Sequence, residues 1–314
     1  MTLKSNILEK LNKDIYLIAG DASPRKFYRF KDKKNQILVY CKKDKKNNLE
    51  NYSKINEFLI SNRIKAPKTI KKNVKNNFII IEDLGNNLLK NVIKKNKVYH
   101  FKKIIDELVK LQKIKPKKTL PKYSMKLLQA EMNLFYEWYL PEFFTKKKIK
   151  EIQKTINNTF VKLLKKTTKS NNVFVHRDFH IENLIIHNRK ISFLDTQDAV
   201  IGHPAYDLMS LVDDVRVNIS QSDQSKLVKY YLKKTRRIQN DFLLDFHILS
   251  VQRLLKILGI FLRLYRRDHK EKYLKYLPRT WNLLKLRLKY NELKELDLIF
   301  KKYFSKKIIE KKWK

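Results

Sequence analysis

At 314 residues with 43% hydrophobic side chains, the chain is long enough for two lobes and a sizeable core, which excludes a disordered tail. Apolar runs such as Phe78 to Ile81 are far too short to span a bilayer, the N-terminal stretch has no continuous apolar signal-type core, and the single cysteine, Cys41, excludes an internal disulfide. The net charge of +41 comes mostly from lysines spread over the whole length among many Asn and Ile and only four Gly, a pattern that codon bias explains. No aromatic-interleaved basic groove, RNA-recognition signature or Cys/His zinc spacing goes with it, so no specific nucleic-acid partner is expected and a monomer in the reducing cytoplasm is.

Residues 1 to about 83 read as a small α+β lobe. A helix around Ile7 to Leu11 leads to G-D-A-S-P-R-K-F-Y-R-F, Gly20 to Phe30. In that segment Gly20 and the small Ala22 and Ser23 let backbone N–H groups approach phosphate oxygens, with Arg25, or Arg29, supplying positive charge. A strand at Gln36 to Tyr40 follows a polar turn, and the cation expected at its end falls to Lys42 or Lys43, with Glu57 on the next helix as its partner. Tyr52 to Ile60 has helical spacing, and Asn77 to Glu82 is a further strand. It ends in E-D-L-G, where the backbone of Glu82 to Leu84 would recognise an adenine as a hinge.

After that hinge the chain becomes mainly helical. Phe101 to Ile114, Lys126 to Leu140 and Ile149 to Leu164 are predicted helices, and helices resume at Ala205 to Val217 and continue to the C-terminus. Between them lies V-H-R-D-F-H-I-E-N-L-I-I-H-N-R-K-I-S-F-L-D, Val175 to Asp195. Asp178 precedes Asn183 on one compact loop, and a hairpin of Leu184 to Ile186 and Ile191 to Leu194 delivers Asp195. This is the order of phosphoryl-transfer machinery, in which one Asp orients the attacking hydroxyl and an Asn and a second Asp hold Mg²⁺. His176 and Arg177 shape the loop by hydrogen bonding, and Gln197 and Asp198 follow Asp195 closely enough to face the same cleft. Asp207, near the start of an apolar helix, reads as structural support for the loop.

At these residues the chain resembles the aminoglycoside phosphotransferase superfamily and, more narrowly, the bacterial kinases that phosphorylate the anomeric hydroxyl of N-acetylmuramate and N-acetylglucosamine. The narrower likeness rests on G-D-A-S-P-R-K-F-Y-R (20–29), E-M-N-L-F-Y-E-W-Y-L (131–140), H-R-D-F-H-I-E-N-L (176–184) with F-L-D-T-Q-D-A-V-I-G (193–202), and Q-R-L-L-K-I-L-G-I-F-L-R-L (252–264) with Y-L-P-R (276–279). The resemblance implies a protein-kinase-like α+β fold, with a small β-rich nucleotide lobe over 1–83 and a large, mainly α-helical catalytic and acceptor lobe over 84–314. It implies ATP as donor, Asp178 as catalytic base, Asn183 and Asp195 as Mg²⁺ ligands, and Glu131, Glu137 and Asp198 near an amino-sugar acceptor. Trp138 is open to ring stacking or helix packing, and Arg253 to an acidic ligand group or a structural pair. The product would be a sugar 1-phosphate in cell-wall recycling. Related sequences carry an acidic, proline-containing segment after the third strand where this chain has C-K-K-D-K-K, 41–46. Two alternatives stay open: a kinase of the same fold acting on an aminoglycoside, choline or another sugar, and a kinase-shaped, non-catalytic protein that binds polyanions or a partner.

Overall fold

The computed structural model describes residues 14–20, 25–33, 35–41, 47–93, 95–167 and 170–313. The helix expected around Ile7 to Leu11, Ser23 of the candidate phosphate loop, and Lys42 and Lys43 lie outside the described residues. The chain forms two compact units, one of residues 1–96 with 178–199 and one of residues 97–177 with 200–314. The loop and hairpin bearing Asp178, Asn183 and Asp195 therefore belong to the unit that also holds the N-terminal sheet.

In the first unit, β1 (Ile15–Ala19), β2 (Arg25–Phe30), β3 (Gln36–Cys41), β4 (Thr69–Asn73) and β5 (Phe78–Glu82) form an antiparallel sheet in the order β1-β2-β3-β5-β4. Side chains alternate between faces along each strand. Ile37, Val39 and Cys41 join Ile79 and Ile81 under Leu49 and Tyr52 of helix α1 (Asn47–Ser61). Leu38 joins Phe78, Phe30 and Ile15 on the other face. Gly20, directly after β1, has φ +133°, and a Cβ there would lie 2.5 Å from the Arg25 carbonyl oxygen. The strands Leu184–His187 and Lys190–Phe193 pair in a second, two-stranded sheet. Asn188 and Arg189 both take positive φ between them, the turn that matches strand twist.

The second unit is mainly helical. Helix Lys97–Lys113 buries Phe101, Ile104, Ile105, Leu108, Val109 and Leu111, one face of a 3.6-residue repeat. The 28-residue helix Gln239–Arg266 is buried along most of its length, and Met125–Leu134 and Leu277–Leu288 pack against it. Two expected helices end earlier than their apolar spacing implies. Met125–Leu134 passes into a π-helical turn at Phe135–Tyr139, so Lys126 to Leu140 is not one α-helix. Ala205–Val212 stops where the buried Asp213 turns its carboxylate to Arg287 and Ser250. Val173–Val175 pairs with Val200–Gly202. Among the described residues, no helix is long and apolar enough to cross a membrane.

Candidate active site

Asp178 opens a loop that its own backbone closes. The His180 amide donates to the Asp178 carbonyl at 3.0 Å, the Asn183 amide to the His180 carbonyl at 2.9 Å, and the Asn183 side-chain Nδ2 back to the Asp178 carbonyl at 3.0 Å. Phe179 and Phe193, both fully buried with ring centroids 5.6 Å apart, anchor the loop to the hairpin. The Leu194 amide donates to the Asn183 carbonyl at 2.9 Å, so the loop's end lies beside the segment leading into Asp195. Asp195 itself has left-handed backbone angles, φ 61° and ψ 40°, a costly conformation of the kind that clusters at functional sites.

The candidate metal ligands suit a hard cation by their donors. Because Nδ2 of Asn183 is used on the Asp178 carbonyl, its Oδ1 is left with no hydrogen bond among the described residues. One carboxylate oxygen of Asp195 is paired with Arg25, while the other has no hydrogen-bond or ion-pair partner among the described residues and the side chain is 30% exposed. Two oxygen donors without a third carboxylate fit Mg²⁺, which is ordinarily held by one or two protein oxygens together with phosphates and water. No group of three or more His, Cys, Asp or Glu side chains is placed to hold a metal among the described residues.

Arg25, expected as a source of positive charge beside the phosphate loop, makes an ion pair that the sequence did not show. It is 1% exposed, bonds the Asp195 carboxylate and the Gln197 side-chain oxygen, and lies over the rings of Tyr52 at 5.1 Å and Phe27 at 5.6 Å. Only the β2–β3 register and the distant hairpin bring these groups together, so no local sequence signal marks the pairing. Two further ion pairs lie in the same unit. Arg29 grips the hinge, with Nη2 on Asp83 at 2.9 Å and Nη1 on Asn86 at 2.7 Å. Glu57 pairs with Lys72 of β4 at 2.7 Å.

At the hinge, the Glu82 amide donates to the Lys68 carbonyl at 2.8 Å and the Asp83 amide to the Asn35 carbonyl at 3.0 Å. The Leu84 carbonyl meets His187 Nδ1 at 3.2 Å. The Leu84 amide has no acceptor among the described residues.

The second unit holds the residues just before Asp178. Asp207, fully buried in the first turn of its helix, accepts the His176 amide at 2.7 Å and the Arg177 amide at 3.1 Å. Arg177 has φ 72°, and its guanidinium bonds Glu131 and lies 5.4 Å from the Tyr123 ring centroid. Glu131 is buried, and it also accepts from Lys256 at 2.8 Å and Tyr123 at 2.5 Å. Burial works to raise the Glu131 pKa, but the charges of Lys256 and Arg177 outweigh it and hold the carboxyl down at about 2. Lys256 was not picked out in the sequence because lysines are everywhere in this chain. Glu137 is exposed on the π-helical turn beside the half-buried Trp138, and Asp198 is exposed with Gln197 Nε2 on its carboxylate at 2.6 Å. Arg253 is buried and makes no hydrogen bond or ion pair among the described residues.

A five-stranded sheet and hairpin that join an Asp–Asn loop to a second, arginine-held Asp belong to a phosphotransferase that works on small molecules. The chain is a member of the phosphotransferase enzyme family, whose model matches residues 14–239, and it is a small-molecule kinase of that family. It is 30% identical over 298 residues to an N-acetylmuramate/N-acetylglucosamine kinase of Neisseria meningitidis serogroup B, covering 90% of this chain and 88% of that one. A protein of the same name from Pseudomonas aeruginosa is 27% identical over 274 residues, covering 85% and 81%. Among solved structures, an ADP-bound aminoglycoside phosphotransferase has a TM-score of 0.64 at 16% identity, covering 90% of this chain and 97% of that one. A choline kinase from Streptococcus pneumoniae has a TM-score of 0.63 at 12% identity, covering 90% and 98%. These two establish the fold.

Proposed function

We propose that this kinase transfers the γ-phosphoryl group of ATP to the anomeric hydroxyl of N-acetylmuramate or N-acetylglucosamine. The observation that carries the chemistry is the closed Asp178–Asn183 loop beside Asp195, which leaves an amide oxygen and a carboxylate oxygen without partners among the described residues. The similarity to the Neisseria and Pseudomonas kinases over most of the chain supports the acceptor. In this reading Asp178 accepts a hydrogen bond from the sugar hydroxyl and aligns it for in-line attack. The bond from that oxygen to the γ-phosphorus forms as the bond to the β–γ bridging oxygen breaks. The hydroxyl proton passes to Asp178, and ADP leaves. Asn183 and Asp195 would hold Mg²⁺, which when bound neutralises charge on the β- and γ-phosphates. The backbone of Glu82 to Leu84 would face adenine, with the Leu84 amide as the donor still available. Gly20 and Ser23 would form the backbone cradle for phosphate. Glu137 and Asp198 offer exposed carboxylates for sugar hydroxyls, while Glu131 would act indirectly by holding Arg177 and Lys256 in place.

The net charge of +41 disfavours aminoglycosides, which are cations, as acceptors. ADP release measured against a panel of N-acetylmuramate, N-acetylglucosamine, choline and an aminoglycoside tests the proposal. Release stimulated by the two amino sugars is expected. Stimulation by choline or the aminoglycoside alone would overturn the acceptor, and no acceptor-dependent release would overturn the catalytic reading.

A further inference from the structure

Kinase-like sites place a lysine on the third strand to pair with nucleotide phosphates. Here the inward-facing position at the end of β3 is Cys41, which is fully buried. The β2–β3 register sets Arg25 directly opposite Cys41. Directly opposed residues of an antiparallel pair project on the same face with Cβ atoms about 5 Å apart. A cation leaving β2 at Arg25 therefore enters the same space that a lysine leaving β3 at position 41 would fill.

What Arg25 does in that space sets it apart from an ordinary buried ion pair. A charge that is 1% exposed needs a partner, and its carboxylate partner is the candidate metal ligand Asp195. It also holds Gln197, two residues further on, so its guanidinium spans the segment that carries the ligand. Tyr52 from α1 and Phe27 from β2 present their faces to it and limit its freedom. Gly20 brings the backbone of the candidate phosphate loop against the Arg25 carbonyl. The same residue thus touches the end of that loop through its backbone and the metal-ligand segment through its side chain.

We propose that Arg25 takes the part that a third-strand lysine plays in such sites, positioning Asp195 and meeting the donor's phosphates, with Cys41 as the small neighbour that leaves it room. This rests on the nucleotide-dependent reading above. The test is titration of Arg25→Met, Cys41→Lys and the double variant with a fluorescent ADP analogue and Mg²⁺, alongside ligand-free thermal melting. Arg25→Met is expected to weaken nucleotide binding about tenfold or more, the scale of one lost hydrogen bond between charged groups. The double variant, with its lysine relocated to the opposite strand, is expected to recover several-fold of that loss. Should Arg25→Met fail to fold, Arg25→Gln is held to the same tenfold criterion. A folded Arg25 variant that binds within about twofold of wild type overturns the inference alone. So does a folded double variant that recovers no affinity. A wild-type protein that binds no nucleotide overturns the kinase reading and this inference with it.

Discussion

Asp207 holds the backbone of the two residues that precede Asp178. Its carboxylate accepts two consecutive amides, those of His176 and Arg177, and Arg177 has the left-handed φ of 72° that an L-residue adopts only at a cost. Asp207→Ala would remove the carboxylate that accepts one buried and one partly buried amide and is expected to destabilise the protein by about 2–4 kcal/mol, read as a lower denaturant midpoint. An unchanged midpoint would mean the loop is held by other groups. Glu131 gives a pH signature. Its folded pKa of about 2 lies below the ordinary 4.5, so its ionised form stabilises the fold fully above that ordinary value, and the contribution is lost as pH falls toward 2. His247 adds a separate loss at milder acidity, because burial and then the Arg287 charge push its pKa from 6.5 down to about 4. Melting of wild type and Glu131→Gln from pH 6 to pH 3 should show a shallower acid decline in the variant below about pH 4.5. Parallel curves would remove Glu131 from the acid response.

Among the elements, Gly259 makes the sharpest packing demand. A Cβ at this position of the long helix would collide with the Leu134 carbonyl and lie 2.6 Å from the Phe135 amide nitrogen, where the α-helix gives way to the π-helical turn. Helix propensity alone predicts that Gly259→Ala gains up to about 1 kcal/mol. Backbone overlap predicts a loss of about 2–3 kcal/mol or more, and denaturant titration will give the sign. This same contact explains why the sequence reads Lys126 to Leu140 as one helix, since the spacing of its aromatics contains nothing about a neighbour arriving from residue 259. Strongly patterned elements were legible: β3, β5, the hairpin after Asn183 and helix Lys97–Lys113 all carry the period of their structure. The two edge strands were not. Ile15–Ala19 is mostly exposed despite its apolar side chains, and Thr69–Asn73 has two exposed lysines, which is how an edge discourages further pairing but also how it hides from a search for alternation. The Asp178, Asn183 and Asp195 pattern was legible as a motif because its spacing is local. The Arg25–Asp195 pair was not, because it joins residues far apart in the chain through strand register.

For the molecule as a whole, the charge of +41 invites a polyanion-binding reading, and short-range pairs such as Lys110–Glu107, Lys148–Glu151 and Lys301–Asp297 engage only a few of the surface lysines, while Arg25 and Lys256 pair with the carboxylates of Asp195 and Glu131. Exposed pairs of that kind contribute little to stability, so the specific information lies in the buried ones. In the proposed reaction, Asp178 directs phosphoryl transfer from ATP to an amino-sugar anomeric oxygen. Phosphorus NMR of the products formed by wild type and Asp178→Asn, with ATP, Mg²⁺ and N-acetylmuramate or N-acetylglucosamine, tests it most directly. A sugar 1-phosphate should accumulate with wild type, and the variant should form it at least about a hundredfold more slowly while still binding nucleotide. An equal rate of formation by the variant, or phosphate on a different oxygen of the sugar, would contradict the account.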